Sequence, residues 1–300
     1  MIAKEGKIST RESATLSAIN RAMASSPEPL PNIEFAFNSD DSVDPAALWG
    51  YARRAEDKAV WLMPDFGFWS WPEPKIGSMK EVQAKSEWAE KEEGLTWRKK
   101  INKLLWRGAP NMGHEVRDKL FVVTAGQPWS DVRALTWNDE ESKLRDYKTM
   151  PEHCGYKFVA QTEGNTYSGR LKYLQSCRSV IISHKLEWIQ HHYHLMRNSG
   201  SDQNFVEVER DWSDLRGKMQ WLLGHDQEAE RIADNNVKMF RERYLTPAAE
   251  TCYWRRLFRE WSKATDFEPP FFDLVNGKKR WRGMPVESFL LMGEMDWEMR

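Results

Sequence analysis

The chain has 300 residues, of which 40% are hydrophobic and 30% charged, and its formal net charge at pH 7 is −1. This length allows one large domain or two of ordinary size, and the hydrophobic content excludes a disordered chain. The balanced charge gives no reason to expect nucleic acid as a partner, and no apolar run is long enough to span a membrane. The first residues lack the apolar core of a signal peptide.

The N-terminal part is predicted to form a helix, a strand and a turn. Residues 1–25 have the pattern of an amphipathic helix or a frayed arm, and three prolines between residues 27 and 31 end any helix. Ile33–Phe37 is predicted as a buried strand. Asp41 closes the turn that follows, where a carboxylate could act as a general base. Asp40 fits this role equally well by composition, and an ordinary turn or capping carboxylate is the alternative for both.

An aromatic loop follows at Pro64–Pro74, with the sequence PDFGFWSWPEP. Its aromatic residues and prolines exclude a disordered linker. Two interpretations stay open: a structural plug between domains, or a stiff platform that faces a sugar or acceptor through Trp69, Trp71 and Glu73. The Asp-Phe-Gly triplet is not a kinase signature here, because neither a His-Arg-Asp loop nor a Gly-rich nucleotide loop accompanies it.

A charged helix is predicted within Lys80–Lys100, followed by a short apolar strand at Lys103–Trp106. The strand ends in Arg107 and Gly108, and Arg117 lies ten residues after Arg107. The guanidinium group matches the geometry of phosphate oxygens, so these two arginines could bind a diphosphate together. Taken singly, each arginine is an ordinary surface residue.

The segment His153–Trp188 carries the clearest ligand-binding pattern. A strand, a glycine-bearing loop, a short helix and a second strand are predicted at Tyr156–Ala160, Thr162–Tyr167, Ser168–Cys177 and Val180–Ile182. Arg170 and Lys172 lie at the predicted helix start, where backbone N–H groups and the helix dipole favour a phosphate group. Loops of this kind after a strand are where ligands bind in open α/β sheets. We therefore expect a phosphate-binding site here.

Strand and helix patterns alternate as far as about Trp221, which predicts βαβ units and a parallel sheet, and hence an α/β fold. Two further helices are predicted at Glu228–Arg243 and Pro247–Lys263. The tail after Phe267 shows little periodicity.

Patterns for metal binding are weak. His191 and His194 would share one face of a helix, but no carboxylate or third ligand lies at a suitable spacing. The absence of Cys-x-x-Cys and Asp-x-Asp motifs disfavours a structural zinc site and a sugar-nucleotide enzyme built on a manganese-binding Asp pair. The odd number of cysteines (Cys154, Cys177 and Cys252) leaves at least one unpaired within the chain.

Several of these segments, in this order, resemble glycosyltransferase family 90, which includes fungal capsule-associated transferases and Rumi-type protein O-glucosyltransferases. The resemblance covers roughly residues 28–263, and the aromatic loop is closest to the fungal branch. The motifs that carry it are IEFAFNSDD, PDFGFWSWPEP, LLWRG followed by Arg117-Asp118, HCGYKF, GNTYSGRLKYLQSCRSVI, EWIQHHY and TCYWRRLFREW.

The resemblance implies a fold of the GT-B type, in which two Rossmann-like domains face each other across a cleft. Residues 1–100 would then form the acceptor-side domain, 101–245 the UDP-sugar-binding domain, and 246–300 a helix and tail that pack back on the first. The implied activity is an inverting, metal-independent transfer of xylose or glucose from a UDP-sugar to a hydroxyl of a glycan or protein. UDP-sugar is a co-substrate, so no cofactor is expected.

The resemblance also implies roles for individual residues. Asp41 matches the family's catalytic base. The donor-binding positions correspond to Arg107, Gly108, Arg117, Ser168 and Arg170. A disulfide between Cys154 and Cys177 would brace the phosphate loop.

The resemblance leaves two matters open. Cys252 would pair with an N-terminal cysteine that this chain does not have, which suggests a shortened first domain. Family resemblance suggests the secretory pathway, whereas this chain shows no signal peptide. The alternatives are therefore an inactive, shortened relative that binds a nucleotide or glycan, and a carbohydrate-binding protein that uses some of the sixteen tryptophans.

Overall fold

The computed structural model describes residues 8–44, 48–72, 76–136 and 139–292. The strands are β1 (Trp49–Gly50), β2 (Trp61–Leu62), β3 (Ile101–Gly108), β4 (Ser130–Ala134), β5 (Tyr156–Gln161), β6 (Val180–His184), β7 (Val206–Val208), β8 (Phe272–Val275) and β9 (Lys278–Trp281). The helices are α1 (Thr10–Ala24), α2 (Met79–Lys91), α3 (His114–Thr124), α4 (Glu140–Asp146), α5 (Met150–His153), α6 (Leu171–Leu174), α7 (Leu215–Gly224), α8 (Asp226–Met239), α9 (Pro247–Ala264) and α10 (Val286–Met292).

The centre of the fold is a five-stranded parallel sheet with the order β4-β3-β5-β6-β7. The predicted α/β class and parallel sheet are thus confirmed. The chain runs from β3 to β4 on one side and then crosses back to β5 on the other, so the strand order reverses between β3 and β5. In open α/β sheets, the crevice at the carboxyl ends of such neighbouring strands is the usual ligand site. Here those ends are Gly108 and Gln161.

Both faces of the sheet are covered, as expected for parallel strands. Successive strand residues point to opposite faces, which gives each face its own apolar core. Leu104 and Trp106 pack with residues of α3, α7 and α8. Leu105 and Val159 pack on the other face, with residues of α2, α5 and α6.

A third core joins the two ends of the described chain. Residues of α1 pack against α9 and α10 around Trp49, which is fully buried. Trp49 stacks on Phe35 with a centroid distance of 3.9 Å and on Phe258 at 6.2 Å. Aromatic contacts of this kind stabilise by about 0.5–1.5 kcal/mol beyond the burial of area. The third core therefore ties the predicted acceptor-side residues to α9.

The strand predicted at Ile33–Phe37 does not form. Phe37 makes a single parallel bridge with Trp49, because its partner β1 is only two residues long. The alternating apolar side chains are still used, since Phe35 and Phe37 pack against the third core.

The helix predicted at Ser168–Cys177 is shorter than expected. Only Leu171–Leu174 is α-helical, and turns follow as far as the disulfide between Cys154 and Cys177, which is the pairing that the family resemblance implies. A single helical turn has a small dipole, so positive charge at this site must come mainly from side chains.

Several other segments differ from the sequence prediction or extend it. The predicted charged helix ends at Lys91, before Gly94, which has a positive φ of 65°. The tail forms an antiparallel hairpin of β8 and β9, although its sequence shows little periodicity. Within the described part of the chain, no helix combines the length and the apolar composition needed to cross a membrane.

Candidate functional site

A cleft of about 530 Å³ opens at the carboxyl ends of β3 and β5. This is within the usual size range of small-molecule sites. The loops after the two strands line one side of it, and residues of α1 and the aromatic loop line the other. Most of the predicted site residues are brought together here: Asp41, Trp71, Arg107, Gly108, Arg117, Ser168 and Arg170.

Arg117 and Arg170 contribute positive charge to the cleft. Both guanidinium carbons lie over the ring of Trp106, at 5.6 Å and 5.5 Å from its centroid. Burial together with the charge of Arg117 lowers the pKa of Arg170 to about 9, and burial lowers the pKa of Arg117 to about 10. Neither guanidinium forms an ion pair with a described carboxylate. Two cations held this close without an anion favour binding of a multiply charged anion.

Backbone carbonyls hold Arg117 in place. Its Nε donates to the carbonyl oxygen of Glu163 at 3.1 Å, and its Nη1 donates to that of Ala109 at 2.7 Å. These two carbonyls belong to the loops after β5 and β3. Arg117 thereby links the two loops that border the cleft.

Only glycine fits at position 108, because two neighbouring side chains lie close to its Cα. A Cβ at this position would lie 2.8 Å from Cζ2 of Trp106 and 3.2 Å from Nη2 of Arg170. Trp106 is fully buried, and its Nε1 donates to the hydroxyl of Thr162 at 3.1 Å. The ring therefore has little room to move, and any larger residue at 108 would displace Arg170.

Asp41 lines the same cleft as these arginines. Its carboxylate accepts a hydrogen bond from the hydroxyl of Thr166, which fixes its orientation. The charge of Asp41 acts on Arg117, where it partly offsets the effect of burial. Asp40, which composition left equally plausible, is exposed and does not line the cleft. The geometry therefore favours Asp41 of the two.

Arg107 lines the cleft, but its guanidinium is largely occupied by protein acceptors. It makes four hydrogen bonds, to the carbonyls of Trp106 and Asp146 and to the carbonyl and carboxylate of Asp131. A guanidinium has five N–H donors, so one is left for a ligand. Because alternate strand residues point to opposite faces, Arg107 is directed away from the side on which Trp106 and Gly108 lie.

Lys172 does not contribute charge to the cleft. It is buried and forms an ion pair with Asp65, with 2.8 Å between Nζ and Oδ1. Ser168, by contrast, lines the cleft, and its hydroxyl accepts a weak hydrogen bond from the N–H of Arg170 at 3.4 Å. Of the two cations predicted at the helix start, Arg170 alone faces the ligand space.

The aromatic loop is divided between the cleft and the surface. Trp71 lines the cleft, and a Cβ on Gly169 would lie 3.0 Å from its ring. Trp69 is 37% exposed, lies below the guanidinium of Arg21 at 5.0 Å, and is not a lining residue. Glu73 falls in 73–75, outside the described residues.

Sequence reasoning assigned no role to several residues in and next to the cleft, including the following three. Thr166 orients Asp41, Arg11 enters from α1, and His153 lies on α5. Burial and the charge of Arg170 lower the pKa of His153 to about 3, so its ring is neutral. Thr166 and His153 were within the predicted phosphate segment, whereas no local pattern distinguishes Arg11.

No group of three or more His, Cys, Asp or Glu side chains suited to hold a metal ion occurs among the described residues.

A model of the family described as Glycosyl transferase family 90 matches residues 5–274. The chain belongs to this family. The match includes the sheet, both loops of the cleft and α9.

Curated relatives support the same assignment. Protein O-glucosyltransferase 2 from Danio rerio is 25% identical over 259 residues, which cover 81% of this chain and 50% of that protein. Protein O-glucosyltransferase 1 from Homo sapiens is 23% identical over 78% of this chain and 63% of that protein. The O-glucosyltransferase rumi homolog from Aedes aegypti is 25% identical over 80% and 58%. The chain thus spans about half to just under two thirds of the length of these relatives.

Solved structures show a partial likeness. Sucrose-phosphate synthase from Thermosynechococcus elongatus has a TM-score of 0.41 and 10% identity, covering 60% of this chain and 49% of that one. Anabaena Alr3699/HepE, solved in complex with UDP-glucose, has a TM-score of 0.35 and 12% identity, covering 61% and 53%.

Proposed function

We propose that this protein is a glycosyltransferase that moves a sugar from a UDP-sugar to a hydroxyl of a glycan or protein. Family membership and the names of the O-glucosyltransferase relatives support the reaction class. The observation that carries the proposal is the pair of Arg117 and Arg170, which has no described carboxylate partner and shares the cleft with Asp41. The two arginines are suited to bind a diphosphate, and Asp41 is suited to act as a general base.

In the proposed reaction, Ser168, Arg117 and Arg170 bind the diphosphate of the donor. Negative charge develops on this group as the bond to the sugar breaks, and two fixed guanidiniums stabilise that charge. The arginines supply positive charge that a divalent metal supplies in other transferases, so we propose that transfer is metal-independent.

Asp41 would accept the proton of the attacking hydroxyl while the sugar passes through oxocarbenium character. Attack from the face opposite the diphosphate would invert the anomeric configuration. The hydrogen bond from Thr166 holds the carboxylate towards the cleft before the acceptor binds. Xylose and glucose are the proposed sugars, and a panel of UDP-sugars will rank them.

The test is release of UDP from each UDP-sugar in the presence of glycan or peptide acceptors. Asp41→Asn should lower the transfer rate by about 10²–10⁴-fold, the usual effect of losing a general base, and leave UDP affinity unchanged. Asp40→Asn is the matched control and should retain the wild-type rate. Retained transfer in Asp41→Asn would show that another group is the base. UDP binding without transfer from any sugar would indicate an inactive relative.

A further inference from the structure

Arg11 is a further cation that lines the cleft, and the proposed reaction does not use it. It lies in the first turn of α1 and lines the cleft with Asp41 and Phe66. Its guanidinium carbon is 4.9 Å from the centroid of the Phe66 ring. No hydrogen bond or ion pair joins that guanidinium to any residue in the described ranges. Its N–H donors are therefore available to a ligand.

Arg11 enters the cleft beside the aromatic loop rather than beside β3. Arg117 and Arg170 both lie over Trp106, which belongs to β3. Arg11 instead lies over Phe66, whose ring packs edge-on against Trp71 at 5.5 Å. Arg11 thus lies over a different aromatic ring from Arg117 and Arg170.

Tyr167 lines the cleft together with Arg11 and Asp41. Burial raises the pKa of the Tyr167 hydroxyl; the carboxylates of Asp65 and Asp41 add to this effect, and Arg11 opposes it. In the proposed reaction Asp41 would contact the attacking hydroxyl, so an arginine that shares Tyr167 with Asp41 would lie beside the sugars that are joined.

The carboxylates near Arg11 are already engaged. Asp65 is paired with Lys172 and also accepts from the N–H of Gly67 at 2.7 Å. Glu12 accepts from the N–H of Ser9 at 2.6 Å in the capping box of α1. Asp41 accepts from Thr166. An arginine that forms no ion pair with the carboxylates around it is suited to an anion that arrives with the ligand.

We propose that Arg11 recognises a carboxylate on the sugar side of the cleft, so that the substrate includes a uronic acid. A guanidinium held over an aromatic ring keeps its N–H edge free for two parallel hydrogen bonds to a planar carboxylate. The uronic acid is either the transferred sugar of the donor or a residue of the acceptor glycan. This inference rests on the proposed function, because it requires the donor diphosphate at Arg117 and Arg170.

The experiment compares binding of charged and neutral ligands by calorimetry. One arm titrates UDP-glucuronic acid and UDP-glucose into the protein. The other titrates acceptor oligosaccharides with and without a glucuronic acid residue into the UDP-saturated protein. In at least one arm the charged ligand should bind about tenfold or more tightly than the neutral one.

Arg11→Gln should reduce that preference to less than about twofold. Arg54→Gln is the matched control, because the exposed Arg54 lies over Trp188 at 4.9 Å outside the cleft, and this variant should keep the preference. Equal affinity for charged and neutral ligands in both arms of the wild type, or an undiminished preference in Arg11→Gln, would refute the role of Arg11. Failure of the wild type to bind UDP at all would instead refute the proposed function, and this inference with it.

Discussion

Replacement of Lys172 by methionine tests how the aromatic loop is fixed against the phosphate-binding loop. Lys172 and Asp65 are 1% and 0% exposed, and their charged atoms are 2.8 Å apart. Lys172 also donates to the carbonyl of Gly169 at 2.7 Å, next to Arg170. Burial lowers the pKa of Lys172, and the neighbouring Asp65 opposes that effect. The pair therefore joins the residue beside the diphosphate site to the loop that carries Trp71.

The variant should lose about 3–5 kcal/mol of unfolding free energy, which is the usual cost of leaving one buried charge without its partner. The carboxylate of Asp65 would retain the N–H of Gly67 at 2.7 Å and the amide of Gln190 at 3.3 Å. These two neutral donors do not balance a charge in a site with no exposed surface. Removing the charge as well, in Asp65→Asn/Lys172→Met, should restore part of the stability.

Equilibrium denaturation in urea measures these differences. Lys85→Met is the control, since Lys85 pairs with Glu81 at 2.6 Å on an exposed face of α2 and should change stability by less than about 1 kcal/mol. A loss in Lys172→Met no larger than in Lys85→Met would refute the buried ion pair. A double variant less stable than Lys172→Met would refute the explanation by an unpaired charge.

Two further variants test other parts of the structure. Gly108→Ala should displace Trp106 or the guanidinium of Arg170, which should cost about 1–3 kcal/mol of stability and weaken UDP binding. Gly217→Ala is the control, because Gly217 lies in open space on α7, and it should be neutral or stabilising. Equal effects of the two substitutions would contradict the close contact at Gly108. Burial raises the pKa of Glu250 from 4.5 to about 7. Between these pH values the folded protein keeps a proton on Glu250 that the unfolded chain has released. The stability that this bound proton contributes is therefore lost as pH rises from about 4.5 through 7. Glu250→Gln should flatten that decline in urea denaturation at a series of pH values, and an unchanged pH dependence would show that Glu250 is not its source.

The parts of the fold that depend on local pattern could be predicted from sequence. Alternating strand and helix signals predicted the parallel sheet, and the strand-loop-helix unit around Arg170 lies at the point where strand order reverses. The two-residue strands β1 and β2 are too short to produce a periodic signal. Ile33–Phe37 has the pattern of a strand, but its apolar side chains pack around Trp49 without a ladder of strand hydrogen bonds.

Within the site, sequence pattern identified residue types but not which of them face the ligand. Arg170 and Lys172 are two residues apart, and the structure directs one into the cleft and the other into a buried ion pair. Arg107 was a reasonable phosphate ligand, yet four of its five donors are taken by Trp106, Asp131 and Asp146. Arg11 comes from a helix distant in sequence, so its approach to Asp41 depends on the third core.

Calorimetric titration of UDP into the wild type and Arg170→Ala tests most directly whether this cleft binds a nucleotide diphosphate. Arg178→Ala is the matched control, since Arg178 pairs with Glu230 and Asp234 away from the cleft. Loss of a charged hydrogen bond of about 1.5–3 kcal/mol should weaken UDP binding by about 10- to 150-fold in Arg170→Ala and leave Arg178→Ala unchanged. Equal UDP affinity in the wild type and Arg170→Ala would contradict the assignment of this cleft as the donor site.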